Sequence, residues 1–376
     1  MDTPADEIEQ YIGRPIVDLP TPSCILSKRV LENNCQRMLR DVRTKNLAFR
    51  AHVKTLKSAE VTRLMIGEHK KVIASTLREI RGLLELVDEA RIDELYEYAQ
   101  KVRIVLMLDH SSHVSMLEGF NKTHRSSQPW PVFVKIDVGT SRAGIPPSPR
   151  LHALIQAVEA SPATTLHGLY CHAGHSYACC TPEDTSAVLD SEITTLIAGA
   201  ALVSPSRLEP LLLSLGSTPT AHVISTLDHQ VPTNCILEVH GGNYPVNDLQ
   251  QLATGCVSES DQALRVIASV CSVYPERNEA LVNAGVIALS REAGKIEGHG
   301  TVIGKTGWVV KRLSQEHGIV GLVAGKEGKA EEEFVLGDKL CLYIQHACIT
   351  ASAAGWYFVV DDDDIVREVW YPWKGW

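Results

Sequence analysis

The chain has 376 residues, 44% hydrophobic and 22% charged, an ordinary balance for a folded globular protein. A formal charge of -9 and a pI near 5.9 argue against nucleic-acid and anionic-membrane surfaces, which need clustered Lys and Arg, and leave a small molecule as the default ligand. The longest apolar run, "LIAGAALV" from Leu196 to Val203, is far short of the ~20 residues that span a bilayer. The acidic amino end "MDTPADEIEQYIGRP" does not read as a secretory signal and "WKGW" carries no lipidation signal; ten scattered cysteines read as reduced thiols, and the expected setting is cytoplasmic.

In chain order, eight short β-rich runs recur: "SCILS", "AFRAHVKT", "KVIAS", "RIVLML", "VFVKIDVG", "LHGLYCHAG", "LLLSLGS" and "CILEVHGGN". Between them lie amphipathic stretches such as "SAEVTRLMIGEHK" and "LREIRGLLELVDEAR", with apolar residues three and four apart. Strands alternating with helices imply parallel β/α units, and eight strands close a barrel, so residues 23–254 are read as a (β/α)8 barrel. After "DLQQLATG" the runs become shorter and alternating, with Gly-containing turns. Residues 255–376, together with 1–22, are therefore read as a mostly antiparallel β domain.

The loops that follow barrel strands form the active face of such a fold. Lys54 closes the second run, beside His52. "DVGTSRAG" with Arg142 follows the fifth, "HAGHSY" with His172 and Tyr177 the sixth, "LGSTPTAH" with Ser217 and Thr218 the seventh, and "EVHGGNYP" with Gly241 and Asn243 the eighth. Lys54 is either a snorkelling surface residue or a Schiff-base lysine. "LGSTPT" is either an ordinary turn or a cup of N–H and hydroxyl groups for a phosphate. A Schiff-base lysine and a phosphate cup on one barrel mouth together describe pyridoxal phosphate.

In "QHAC", His346 and Cys348 are two apart in a predicted strand, so both would leave one face. They are either core packing or a two-ligand zinc site with open positions. "DDDD" (361–364) reads as a solvated hairpin turn, Cys179 and Cys180 as incidental, and Trp370, Trp373 and Trp376 as anchors of the tail.

Taken together, "RAHVKT", "KIDVGTSRAG", "GLYCHAGHSY", "SLGSTPTAH", "EVHGGNYPVNDLQQ", "VNAGVIALSRE" and "HACITA" resemble the fold-type III pyridoxal-phosphate enzymes of the D-serine dehydratase and D-threonine aldolase group, distant relatives of alanine racemase. The pairing of His with Cys resembles the eukaryotic D-serine dehydratase branch. The resemblance implies that Lys54 bonds the cofactor aldehyde and moves the Cα proton and that Tyr177 lies near the substrate; His52, the neighbour of Lys54 in sequence, is a further catalytic candidate. It implies that Ser217, Thr218, Gly241 and Asn243 hold the phosphate, that His172 lies against the pyridine ring, and that Arg142 lies near the ring hydroxyl or substrate carboxylate. It further implies that His346 and Cys348 hold Zn2+ against the β-hydroxyl, and that the enzyme is a homodimer. The implied reaction is elimination from D-serine to pyruvate and ammonia. The alternatives are aldol-type cleavage, epimerisation, or a cofactor carrier without catalysis.

Three departures stand out from the group's pattern: Leu56 in "KTLK", Ser141 in "DVGTSR", and "IQHAC". Strand alternation would place His52, Lys54 and Leu56 on one face, so that Leu56 removes a polar group from the reacting centre. The expectation from this is a diverged substrate.

Overall fold

A computed structural model describes residues 5–85, 101–124, 128–205, 207 and 209–375. Seven parallel strands form one sheet: β2 (Ala48–His52), β3 (Val72–Ile73), β4 (Leu106–Leu108), β5 (Trp130–Lys135), β6 (Thr164–Tyr170), β7 (Leu211–Leu215) and β8 (Cys235–Gly241), in the order β3-β2-β8-β7-β6-β5-β4. Strands covered by helices read as continuous apolar runs, and all five residues of β7 are buried. The helices carry their own start signals. Thr181 caps Pro182–Ala200 by accepting the Asp184 N–H, and Ser148 caps Pro149–Ala160 by accepting that of Leu151. Helix Lys28–Thr44 buries Leu31, Cys35, Met38 and Val42, a stripe with three- and four-residue spacing.

The second sheet holds β1 (Ser23–Ser27), β9 (Leu264–Tyr274), β10 (Glu279–Val282), β11 (Gly300–Val302), β12 (Trp308–Leu313), β13 (Gly318–Leu322), β14 (Lys339–Ile344), β15 (Tyr357–Val360) and β16 (Val366–Trp370). Strand β9 pairs with β14 and, through its far half, with β10. Six strands thereby close on themselves, and β1, β15 and β16 extend the sheet. An α/β parallel unit and an antiparallel β unit are what the sequence implies, with one strand reassigned. "SCILS" is no barrel strand: Cys24 pairs with Val266 of β9 and Ile25 with Phe358 of β15. Its local strand-to-helix grammar is right, but a strand's sheet is chosen by distant partners, and Ile25 and Leu26 are fully buried there. Among the described residues the parallel sheet thus has seven strands and a half-barrel form.

Three further readings meet the structure here. Asp361–Asp364 does form the turn between β15 and β16, with Asp361 accepting the Asp363 and Ile365 N–H groups, and arginines pair with it (Arg29 with Asp362, Arg265 with Asp364, Arg367 with Asp361). Trp370 and Trp373 are buried, and the Trp373 ring covers Gly82; Trp376 and the end of "LREIRGLLELVDEAR" past Glu85 lie outside the described residues. All ten cysteines are free, and no described helix is long and apolar enough to cross a membrane.

Candidate active site

The carboxyl ends of the parallel strands meet the β unit around a cavity of about 430 Å³. His52, Lys54, Arg142, His172, Tyr177, Ser217, Thr218, Gly241, Asn243, His346 and Cys348 all line it. The volume falls in the range of small-molecule sites, roughly 300–1,000 Å³.

Strand β2 stops at His52, and residues 53–56 turn, with the Lys57 N–H donating to the Val53 carbonyl at 3.0 Å. Lys54 therefore enters the cavity from a turn, and alternation no longer applies beyond His52. Leu56 does not line the cavity: it is 3% exposed, packs in the core with Val61 and Met65, and its carbonyl accepts the Tyr357 hydroxyl at 3.0 Å. Ser141 is also outside, in a loop whose Gly139 and Ser141 N–H groups bind Asp137 Oδ1. Two of the three departures thus leave the cavity wall untouched.

The third departure has a local purpose. Gln345 donates to the carbonyls of Ile296 and Gly298, at 2.8 and 2.7 Å, and so pins the segment 292–298 beside the cavity. Glu292, Gly294 and Lys295 of that segment line the wall, and Lys295 reaches across to the Cys179 carbonyl (2.9 Å) and the Cys180 thiol (2.8 Å). The two cysteines thus anchor Lys295 without lining the cavity themselves. Sequence reading missed Glu292 and Lys295, because polar residues in irregular segments give no periodic signal, and His240 and Gln250, which sit in a strand and a short helix where a polar residue reads as an ordinary part of the element. Only "EVHGGN" had drawn attention to the neighbourhood of His240.

One end of the cavity is a cup of hydroxyl and N–H groups. Ser217 caps the short helix Thr218–His222 in a reciprocal box with Thr220, and its hydroxyl meets that of Ser176 at 2.7 Å. Thr218 Oγ1 accepts the Asn243 N–H at 3.0 Å. Gly216, at φ +138°, has the His240 carbonyl oxygen 2.2 Å from where a Cβ would stand, and a Cβ on Gly242 would come within 3.0 Å of the His52 carbonyl. Asn243 Oδ1 and His240 Nε2 are buried without hydrogen-bond partners. Hydroxyls, orphaned polar atoms and side-chain-free backbone fit a phosphorylated aromatic cofactor.

The wall beside the cup is a set of neutral rings. His172 Nδ1 donates to the Gly216 carbonyl at 2.9 Å; its ring lies 6.3 Å from that of His240, which stacks on Tyr170 at 4.3 Å. Burial, then the Arg142 charge, pulls His172 down to about 4, and burial holds His52 and His240 well below the usual histidine range. His52 Nδ1 accepts the Lys54 N–H at 3.4 Å and its Nε2 meets Ser75 Oγ at 3.3 Å. Burial raises the Tyr177 phenol, so it stays protonated.

The opposite end carries His346 and Cys348. They do not share a strand face: β14 ends at Ile344, and helix Ala347–Ala353 begins just after His346. The corner itself brings both side chains to the cavity. Cys348 Sγ lies 3.2 Å from Thr55 Oγ1, and His346 Nδ1, buried without a hydrogen-bond partner, lies 3.6 Å from Glu292 Oε2. Imidazole, thiol and an open side fit a borderline-soft cation such as zinc; among the described residues no group of three His, Cys, Asp or Glu gathers there.

Known proteins resemble this chain along nearly its whole length. Residues 263–360 match the family described as "Putative serine dehydratase domain", and residues 26–231 match "Alanine racemase, N-terminal domain". The D-serine dehydratase of Schizosaccharomyces pombe is 41% identical across 98% of this chain and 95% of its own. The chain belongs to the D-serine dehydratase family. It is accordingly a pyridoxal-phosphate-dependent lyase. The D-serine dehydratase of Saccharomyces cerevisiae is 32% identical, covering 99% of this chain and 100% of that one. A solved D-threo-3-hydroxyaspartate dehydratase from Delftia sp. HT23 superposes with a TM-score of 0.86 at 25% identity, covering 96% of this chain and 100% of that chain.

Proposed function

We propose that the chain eliminates water from D-serine, or a D-amino acid with a comparable β-hydroxyl, to give a keto acid and ammonia, with zinc at His346 and Cys348. The observation that carries this is the meeting of Lys54, the Ser217–Thr218 cup and the His346–Cys348 pair in one cavity. When bound, pyridoxal phosphate supplies an aldehyde for amine attachment and a ring that accepts the electron pair left at Cα. Zinc supplies a Lewis acid that makes hydroxide a better leaving group. A solved cysteine-to-alanine variant of a D-threo-3-hydroxyaspartate dehydratase is described as being in the metal-free form, which supports a metal in this group of proteins.

The chain's own residues do the rest. Lys54 carries the amine that bonds the aldehyde and then moves the proton at Cα. Ser217, Thr218, Gly241 and Asn243 hold the phosphate through hydroxyl and N–H groups. His172, neutral and fixed by Gly216, offers a flat face to the ring. Arg142 meets the substrate carboxylate or ring hydroxyl, His52 stands beside Lys54 as an uncharged hydrogen-bonding group, and Tyr177, uncharged too, faces the same cavity beside Thr218 and Cys348. Ile287 and Ile349, 51% and 45% exposed on two short helices that pack beside the metal corner, favour a homodimer that covers them. Ten free thiols favour a reducing, cytoplasmic setting.

A panel of D- and L-β-hydroxy amino acids, read for keto acid and ammonia, tests the reaction. D-serine or another D-β-hydroxy acid is expected to lead. Glycine plus aldehyde as the main products would overturn the reading. Light scattering on the purified protein checks the dimer, and a monomer at micromolar concentration would remove it.

A further inference from the structure

Behind the cup lies an acid that the reaction above does not use. Glu192, on helix Pro182–Ala200, is fully buried. Its Oε1 accepts the Gly216 N–H at 3.2 Å and the Cys171 thiol at 3.6 Å, and its Oε2 has no hydrogen-bond partner. The Gly216 peptide is thus clamped from both sides: Glu192 holds its N–H, and His172 donates to its carbonyl. The next residue is Ser217. The groups that face Glu192 from neighbouring elements are the Thr220 hydroxyl of the helix after β7, the Cys171 thiol, the Ala173 N–H and the Tyr170 phenol, and none of them is a cation. Lys135 bears on Cys171 instead, and Arg142 and Arg50 bear on Tyr170.

We propose that Glu192 is a positioning residue for the cofactor phosphate and keeps its proton in the loaded enzyme, so that phosphate binding and protonation of Glu192 are linked. This rests on the reading that Ser217 and Thr218 hold the phosphate. A buried carboxylate without a counter-ion is costly, and a phosphate dianion about one peptide away makes it costlier. The protonated acid still accepts the Gly216 N–H through its carbonyl oxygen, so the clamp survives without the charge. Burial, partly offset by hydrogen bonds from Thr220, Gly216, Cys171 and Ala173, pushes the carboxyl up to about 7, within reach of such a partner. Linkage is reciprocal: if the phosphate favours the neutral acid, the neutral acid favours the phosphate.

The sign follows. Binding takes up a proton, and affinity falls as pH rises from below the carboxyl's value in the empty protein to above its value in the loaded one. A shift of about one unit between the two corresponds to about a tenfold fall. The test measures the dissociation constants of pyridoxal phosphate and pyridoxal for the full-length protein and for Glu192→Gln from pH 6 to 9. Glutamine preserves the acceptor and cannot ionise. Relative to the variant, the unmodified protein should lose about tenfold affinity for pyridoxal phosphate across the window, with no such difference for pyridoxal.

Superimposable profiles for the phosphorylated cofactor would overturn the linkage. If Thr218→Ala still lost the preference for pyridoxal phosphate over pyridoxal, the phosphate reading would stand without it. An intact preference in Ser217→Ala and Thr218→Ala would remove the phosphate reading itself, and the linkage with it. Should Glu192→Gln fail to fold, calorimetry of the unmodified protein in two buffers of different ionisation enthalpy decides. Excess proton uptake with pyridoxal phosphate over pyridoxal supports the proposal, and equal uptake overturns it.

Discussion

The two ends of the cavity are built differently. At the cup, Ser217, Thr218 and Asn243 are 1%, 3% and 2% exposed, and their groups are tied to one another before any ligand arrives. At the corner proposed for the metal, the His346 side chain is 23% exposed, and Glu292, 3.6 Å from it, is 42% exposed. The cup comes from two consecutive strand-to-loop motifs of one sheet. The opposite corner draws on Thr55 from the first, on β14 and its following helix, and on a segment pinned by Gln345. A pre-organised site binds without further ordering, whereas an open one depends on its supports. Cofactor retention should therefore outlast loss of the metal.

Lys54→Ala should have the largest effect, at least about 10³-fold in kcat, because both attachment and proton movement at Cα are lost. Steady-state kinetics with saturating cofactor check it. Cys348→Ala should remove the metal and lower kcat about 10²-fold while the cofactor absorbance band persists. Loss of both together would break the asymmetry. Metal content by plasma mass spectrometry, beside the absorbance spectrum, reads it.

Asp248 joins the two ends: it accepts Asn243 Nδ2 and the Ala347 N–H on Oδ2 and the Gln251 N–H on Oδ1, and it is 1% exposed. Asp248→Ala leaves three buried donors without an acceptor. It should cost about 3 kcal/mol of stability and loosen cofactor and metal alike, as thermal melts with and without each would show. Thr218→Ala should raise the pyridoxal-phosphate dissociation constant about tenfold, the loss of a charge-assisted bond, with the metal unaffected. The pH effect is the gentlest. His172 and His222 are both pulled down to about 4, by burial first, while unfolded histidine titrates near 6.5. On these two side chains the unfolded chain binds more protons between those values, so their contribution lowers the melting temperature as pH drops from 6.5 to 4, with Glu192, raised to about 7, working against it.

Much of the cup was legible because it is local: a strand, a glycine and a hydroxyl pair in "SLGSTPT" describe an anion site wherever the strand goes. Lys54 was legible by its company in sequence, although the turn after His52 rather than strand alternation sets its direction, and the same turn sends Leu56 into the core. His346 and Cys348 were found by residue type, but the strand geometry assigned to them was wrong, since a helix begins between them. Glu192 and Glu292 were invisible. One sits inside an ordinary helix and the other in an irregular segment, and only packing reveals what they face. "SCILS" failed for a related reason, since its partners Val266 and Phe358 are hundreds of residues away.

The most direct measurement is borohydride reduction of the cofactor-loaded protein followed by peptide mapping. The account requires one stable pyridoxyl adduct, on the peptide containing Lys54. An adduct on Lys135, Lys295 or any other lysine, or none in fully loaded protein, would contradict it.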